Sequence, residues 1–283
     1  MSVAECIHGM EGTQCAICFP KPDPVPPPRV VNRTSRGGTA ASTPRRSPRV
    51  AGGASAASRA AATPKKQINV GEQRIYHLTH IDNLSQIVAA GAILADSNDE
   101  LDERPAVDIS ASVTREARHR ATVFEPEGVA VADYVPFFLS PNASVWRNIR
   151  SQIPDVRLST NAHEASAYDF VLLISTIQQA YHAQGEDAAD AVIVTDGDAS
   201  GTLTRFGTSR ESSERMLRGM RADEDSDTIL HAELLVRDRL PFESVTLIGV
   251  ANDNVRNSVK RILAHAAHKP KVSVYPPWFQ PAE

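Results

Sequence analysis

Hydrophobic and polar positions divide the chain into two unlike parts. Residues 20–66 show almost no periodic apolar pattern and are drawn mainly from Pro, Ala, Ser, Thr, Gly and Arg, with nine prolines. Such a segment buries too little apolar surface to offset the entropy of ordering it. It is therefore predicted to be a disordered linker between a small module at 1–19 and a domain at 67–283. Within that domain, residues 74–79, 129–139, 230–236, 245–250 and 271–275 read as strands, and 170–175 and 191–195 as short, β-branched, buried ones. Helices are predicted from Asp82 or Asn83 to Gly91, over 110–120, through Gln178 and Tyr181, and over 252–267. No Gly-x-Gly-x-x-Gly turn follows a strand, which argues against a dinucleotide fold of the Rossmann kind. Strands and helices mix without a βαβ rhythm, so the predicted class is α+β.

Composition sharpens this picture. A chain of 283 residues, 41% hydrophobic, can bury a sizeable core. No apolar run approaches the roughly 18 residues that a membrane span needs, and the N-terminus lacks the apolar core of a signal peptide. Three cysteines, all within the first 18 residues, cannot staple so large a domain. The expected location is the reducing cytoplasm, without membrane contact. Net charge is −4, but nine Lys or Arg and no acid fall in 29–66, whereas 67–283 hold 20 basic and 31 acidic residues, a net of −11. A basic tail of this kind can track phosphates, fold back on the acidic body, or keep the chain soluble.

Four places carry candidate chemistry. Cys6, His8, Cys15 and Cys18 are four zinc-type ligands within 13 residues, suited to a closed structural site; the plainer reading is free thiols in a tail. On the first strand, Ile75, His77 and Thr79 share one face, and Tyr76 and Leu78 the other. In Ile229-Leu-His-Ala-Glu-Leu-Leu-Val236, period two places Leu230, Ala232, Leu234 and Val236 on an apolar face and His231 with Glu233 opposite. Either Glu233 faces a polar site or the strand is an edge. On the basic helix, Glu116 and Arg120 can pair at i, i+4, leaving Arg115 and Arg118 free for an anion.

Ile75-Tyr-His-Leu-Thr-His-Ile-Asp-Asn-Leu84, Arg118-His-Arg120, Asp133-Tyr-Val-Pro-Phe137 and Ala232-Glu233-x-Leu-Val236 occur in order, and together they resemble the DarT-type DNA ADP-ribosyltransferases, toxins of toxin–antitoxin pairs. The resemblance runs from about residue 74 to 278. It implies a split mixed sheet with flanking helices whose cleft takes NAD as substrate, and transfer of ADP-ribose to a base of single-stranded DNA, thymidine or guanosine. It implies that His77, Leu78, Thr79, Asn83 and Arg118 contact NAD, that Arg118 and Glu233 are catalytic, and that 206–228 form a substrate-facing loop. It also implies a cognate antitoxin of the ADP-ribosyl hydrolase type. The stretch Phe138-Leu-Ser-Pro-Asn-Ala-Ser-Val-Trp146 departs from the family pattern at the rim, where the target base is chosen. Two alternatives remain open on sequence: an ADP-ribosyltransferase acting on protein or RNA, and a non-catalytic zinc-ribbon nucleic-acid binder.

Overall fold

The computed structural model describes residues 69–282 apart from 102–103, 124–127, 186–187, 189 and 224–226. In chain order its elements are β1 (Arg74–His80), α1 (Leu84–Ala90), β2 (Ala92–Leu94), α2 (Ser112–Arg120), β3 (Thr122–Val123), β4 (Val129–Ala130), β5 (Tyr134–Phe138), α3 (Ser144–Arg150), α4 (Thr160–Glu164) and β6 (Phe170–Thr176). There follow α5 (Ile177–Gln184), β7 (Val192–Thr195), β8 (Phe206–Gly207), α6 (Arg210–Ala222), α7 (Thr228–His231), β9 (Glu233–Arg237), β10 (Arg239–Pro241), β11 (Leu247–Val250), α8 (Asp253–Ile262) and β12 (Lys271–Val274). Local chemistry sets several ends. Gly91, at φ 66°, closes α1 in the left-handed conformation that glycine adopts without steric cost. The Asn252 side chain accepts from Val255 N at 3.0 Å to start α8.

Eight strands form one sheet in the order β12-β11-β6-β1-β5-β9-β7-β8, and only β11 and β12 run parallel. The α+β class and mixed sheet expected from the sequence are therefore present. β1 pairs with β6 at seven positions, from Arg74↔Thr176 to His80↔Phe170, but with β5 only at Tyr76↔Phe138. Pro136 explains the short seam. It has no N–H to donate, and its carbonyl accepts from the His77 ring at 3.0 Å. The sheet thus divides there into two four-stranded halves, and the divergence opens a cleft.

Alternating side chains of β1 and β6 feed two cores, one on each face of the sheet. Ile75, Val171 and Leu173 join the larger one, together with Leu234, Val236 and Ile248. Tyr76, Leu78, Leu172 and Ile174 join the other, which is aromatic: Trp146, Phe170, Trp278 and Phe279. Arg150 is buried in that second region and has no carboxylate partner among the described residues; it donates to the Trp278 carbonyl at 3.0 Å and to Asn142 Oδ1 at 2.8 Å, so it ties α3 to the C-terminal turn.

Three segments differ from the sequence pattern. The strand expected at 129–139 is broken by a 3-10 turn at Val131–Asp133, fixed where Asp133 Oδ2 accepts from Ala130 N at 2.9 Å. The strand expected at 230–236 begins only at Glu233, because Thr228–His231 closes a helical turn; His231 is exposed there and does not share a face with Glu233. The helix expected over 252–267 is α-helical only to Ile262 and tightens into a 3-10 turn at Leu263–His265. Among the described residues no helix is long and apolar enough to cross a membrane. The Cys6, His8, Cys15 and Cys18 set and the linker lie outside the described residues.

Candidate active site

The cleft has two lobes, of about 210 and 570 Å3, that meet at His77, Thr79, Asn83, Pro105 and Pro136. His77 stands at the junction. Because Pro136 O can only accept, His77 Nδ1 donates to it, which leaves Nε2 as an acceptor. Burial pushes the imidazole below its ordinary value against the opposing hydrogen bond to Pro136, so the ring is neutral near pH 7.

Glu233 begins β9 on the other side of the seam, opposite Phe138. With β5 on one flank and β7 on the other, β9 is interior, and Glu233 is only 7% exposed. The edge-strand alternative does not hold. Its backbone N–H donates to Thr195 Oγ1 at 3.0 Å, and that hydroxyl is held in turn on Gly197 O at 2.6 Å. Arg118 Nη1 reaches across from α2 to both carboxylate oxygens, at 3.0 and 3.3 Å, and Ala199 N lies 3.4 Å from Oε1. Burial raises the carboxyl above its ordinary range; Arg118 opposes this, while nearby Asp198 adds to it. The second terminal nitrogen of Arg118, Nη2, is buried with no partner among the described residues. A buried guanidinium N–H left unpaired is costly unless something else satisfies it, and this one belongs to a side chain that lines the smaller lobe.

Of the residues expected to form a site, the fold brings His77, Leu78, Thr79, Asn83, Arg118 and Glu233 to one lobe. Asn83 is nevertheless committed elsewhere: its amide Nδ2 donates to Val107 O at 2.8 Å and Thr79 Oγ1 at 3.2 Å, and its Oδ1 accepts from Val107 N at 3.0 Å. Arg115 is not free for an anion, since it is gripped by Asp96 and Asp108, each at 2.5 Å. The neighbouring Glu116–Arg120 pair forms as expected, at 3.7 Å. The segment expected as a substrate-facing loop is mostly helix: Ser209 caps α6, and Arg–Glu pairs four residues apart line it. The sequence reading missed Asp198 and Arg157, which line the cleft and lie 3.5 Å apart. Burial works against the charge of Asp198, yet hydrogen bonds from Ser200 and the charges of Arg118 and Arg157 hold its pKa below the ordinary value. The available signal was the turn-rich run Asp196-Gly-Asp-Ala-Ser-Gly201 directly after a buried strand.

A sheet split at a proline, with a neutral histidine on one half facing a buried glutamate–arginine pair on the other, has the form of an ADP-ribosyltransferase cleft. Residues 76–280 match the DarT family, described as ssDNA thymidine ADP-ribosyltransferase. A DNA ADP-ribosyl transferase of Thermus aquaticus is 27% identical over 212 residues, 72% of this chain and 88% of that protein. The structure of Thermus sp. 2.9 DarT in complex with ADP-ribosylated ssDNA superposes with a TM-score of 0.59 at 26% identity, over 74% of this chain and 96% of that one. The complex of the same Thermus protein with NAD+ gives a TM-score of 0.55, over 74% and 98% of the two chains. The chain belongs to the DarT family and is an NAD-dependent DNA ADP-ribosyltransferase.

Proposed function

We propose that the two-lobed cleft binds NAD with its nicotinamide ribose against His77, Leu78 and Thr79, and that Arg118 and Glu233 carry out transfer to a thymidine of single-stranded DNA. The observation that carries this reading is the Arg118–Glu233 pair with Arg118 Nη2 left over: the carboxylate is held in place while one buried donor remains for a substrate oxygen. The bond from the ribose C1 to the nicotinamide nitrogen breaks, and its electron pair leaves with nicotinamide. The oxocarbenium character that develops at the ribose is stabilised by the fixed Glu233 carboxylate, worth most as charge appears in a site that excludes water. The thymine N3, the base's one ring N–H once N1 is glycosylated, forms the new bond to C1 and gives its proton to Glu233, whose raised pKa makes it a better base than a solvated carboxylate. A guanidinium is a cation with donors and no acceptor, so the part of Arg118 is electrostatic, on a phosphate or on a thymine carbonyl. His77, neutral with Nε2 as acceptor, is suited to a ribose hydroxyl.

Thymidine is favoured over guanosine by the description of the matched family. Incubation with NAD and single-stranded oligonucleotides that contain or lack thymidine, followed by mass measurement of the DNA, tests this. One ADP-ribose added only to the thymidine-containing strands is expected; addition to strands lacking thymidine overturns the base, and addition only to RNA or protein overturns the substrate class. The basic stretch 29–66 captures DNA phosphates, Cys6, His8, Cys15 and Cys18 hold one structural zinc, and a cognate hydrolase-type antitoxin reverses the modification.

A further inference from the structure

In the stretch ahead of α2, Pro105 and residues 107–110 form a wall of the smaller lobe, and Pro105 reaches both lobes. The C-terminal part of this strap is pinned to the segment before α4 by backbone pairing, Ser159 N donating to Ile109 O at 2.9 Å and Ala111 N to Arg157 O at 2.8 Å, with Ile109 packed on the second core; toward β1 and α2, two polar side-chain contacts hold it. The Asn83 amide pairs with the Val107 backbone as a second strand would, donating to the carbonyl at 2.8 Å and accepting from the amide at 3.0 Å. Asn83 is 5% exposed, and its remaining donor is spent on Thr79. The Arg115 guanidinium joins Asp96, ahead of the strap, to Asp108 within it, at 2.5 Å to each, and its side chain is 13% exposed. Arg115 lies one helical turn before Arg118, so the residue that fixes the strap is rigidly linked to the one that grips Glu233.

We propose that Asn83 and Arg115 are positioning residues: neither touches NAD, and together they set the strap 104–111 at the distance from β1 that shapes the NAD cleft. The inference rests on the reading of the cleft as the NAD site. The chemistry on each side is specific. An aspartate at position 83 keeps the acceptor for Val107 N–H but turns the donor into an oxygen facing the Val107 carbonyl, and the two acceptors repel. A lysine at 115 keeps the charge but loses the planar fork that spans two carboxylates. Both amide hydrogens of Asn83 and both terminal nitrogens of Arg115 are engaged within the fold, so each acts on NAD through the strap.

The test compares N83D and R115K with the unsubstituted full-length chain, reading KM and kcat for NAD in transfer to a thymidine oligonucleotide and amide hydrogen exchange over 104–111 without NAD. Expected for N83D is a roughly tenfold rise in KM, equivalent to about 1.4 kcal/mol, with kcat falling by less than about threefold and faster exchange in the strap. R115K is expected to move both quantities in the same direction, and it keeps the test open should N83D fold poorly. A higher KM with unchanged strap exchange would make Asn83 a direct NAD ligand and overturn the proposal. So would faster exchange with an unchanged KM, or a loss confined to kcat. Exchange in the unsubstituted chain separates the two readings: no slowing by NAD anywhere in the cleft overturns the site itself and the proposal with it. Slowing in the cleft, with N83D indistinguishable from the unsubstituted chain, overturns the proposal alone.

Discussion

The two halves of the sheet bring different chemistry to the same cleft. The half ending in β1 presents neutral groups with their polar atoms already fixed: His77 Nδ1 on Pro136 O, and Thr79 Oγ1 accepting from Asn83. The half containing β5, β9 and β7 presents charge: Glu233 buried against Arg118, with Asp198 on the loop that follows β7. Neutral, pre-set acceptors grip sugar hydroxyls about equally in substrate and transition state, whereas a buried carboxylate gains most when positive charge develops beside it. Under the proposed roles, one half binds and the other catalyses. Pro136 makes this arrangement available, because the seam it interrupts is where the halves part.

Substitutions on either side of the seam sharpen the contrast. The largest effect is expected for Glu233→Gln, which keeps shape and the contact with Arg118 but removes the negative charge. Its kcat for transfer should fall by more than about a hundredfold, the scale of losing one electrostatic group at a reacting centre, and rapid-quench transfer assays would measure it. Arg118→Lys comes next, at roughly ten- to hundredfold in kcat, because an ammonium cannot keep both the Glu233 contact and the second donor in one plane; near-complete rescue by lysine would show that charge alone suffices. His77→Ala should instead raise KM for NAD by roughly tenfold, the cost of a single hydrogen bond with a neutral partner. The smallest effect is in the pH profile. The Glu233 pKa is raised above its ordinary 4.5, so the carboxylate form needed for transfer is lost as pH falls through a value above 4.5. The acid limb of kcat should therefore lie higher than for a solvated glutamate. The same shift makes the ionised carboxylate a cost to the fold, so the thermal stability of the unsubstituted chain relative to Glu233→Gln should decline as pH rises from 4.5 through the folded value.

Much of the binding half was legible in the sequence. The alternation from Ile75 to Thr79 places side chains on opposite faces whatever surrounds them, and β1 follows it, with Ile75 in one core and Tyr76 and Leu78 in the other. The charged half was legible only in part. Leu234 and Val236 do enter the core, but Leu235 is buried on the opposite face as well, against Ile193 and Ala199, so the period-two pattern could not tell an interior strand from an edge. The partners of Arg115 sit 19 and 7 residues away in a stretch with no pattern, and pairing at that range leaves no trace in local spacing. The α6 helix is the opposite case. The expectation of a loop came from the family resemblance, while the local sequence, with Ser209 at the cap and arginine–glutamate spacings of four, already favours a helix.

The division between the halves is tested most directly by calorimetric titration of NAD into Glu233→Gln and His77→Ala beside the unsubstituted protein, with transfer assayed on the same samples. The account predicts that Glu233→Gln binds NAD within about threefold of the unsubstituted affinity while transfer is lost, and that His77→Ala binds roughly tenfold more weakly while retaining transfer at saturating NAD. Weak NAD binding by Glu233→Gln together with unimpaired binding by His77→Ala would contradict it.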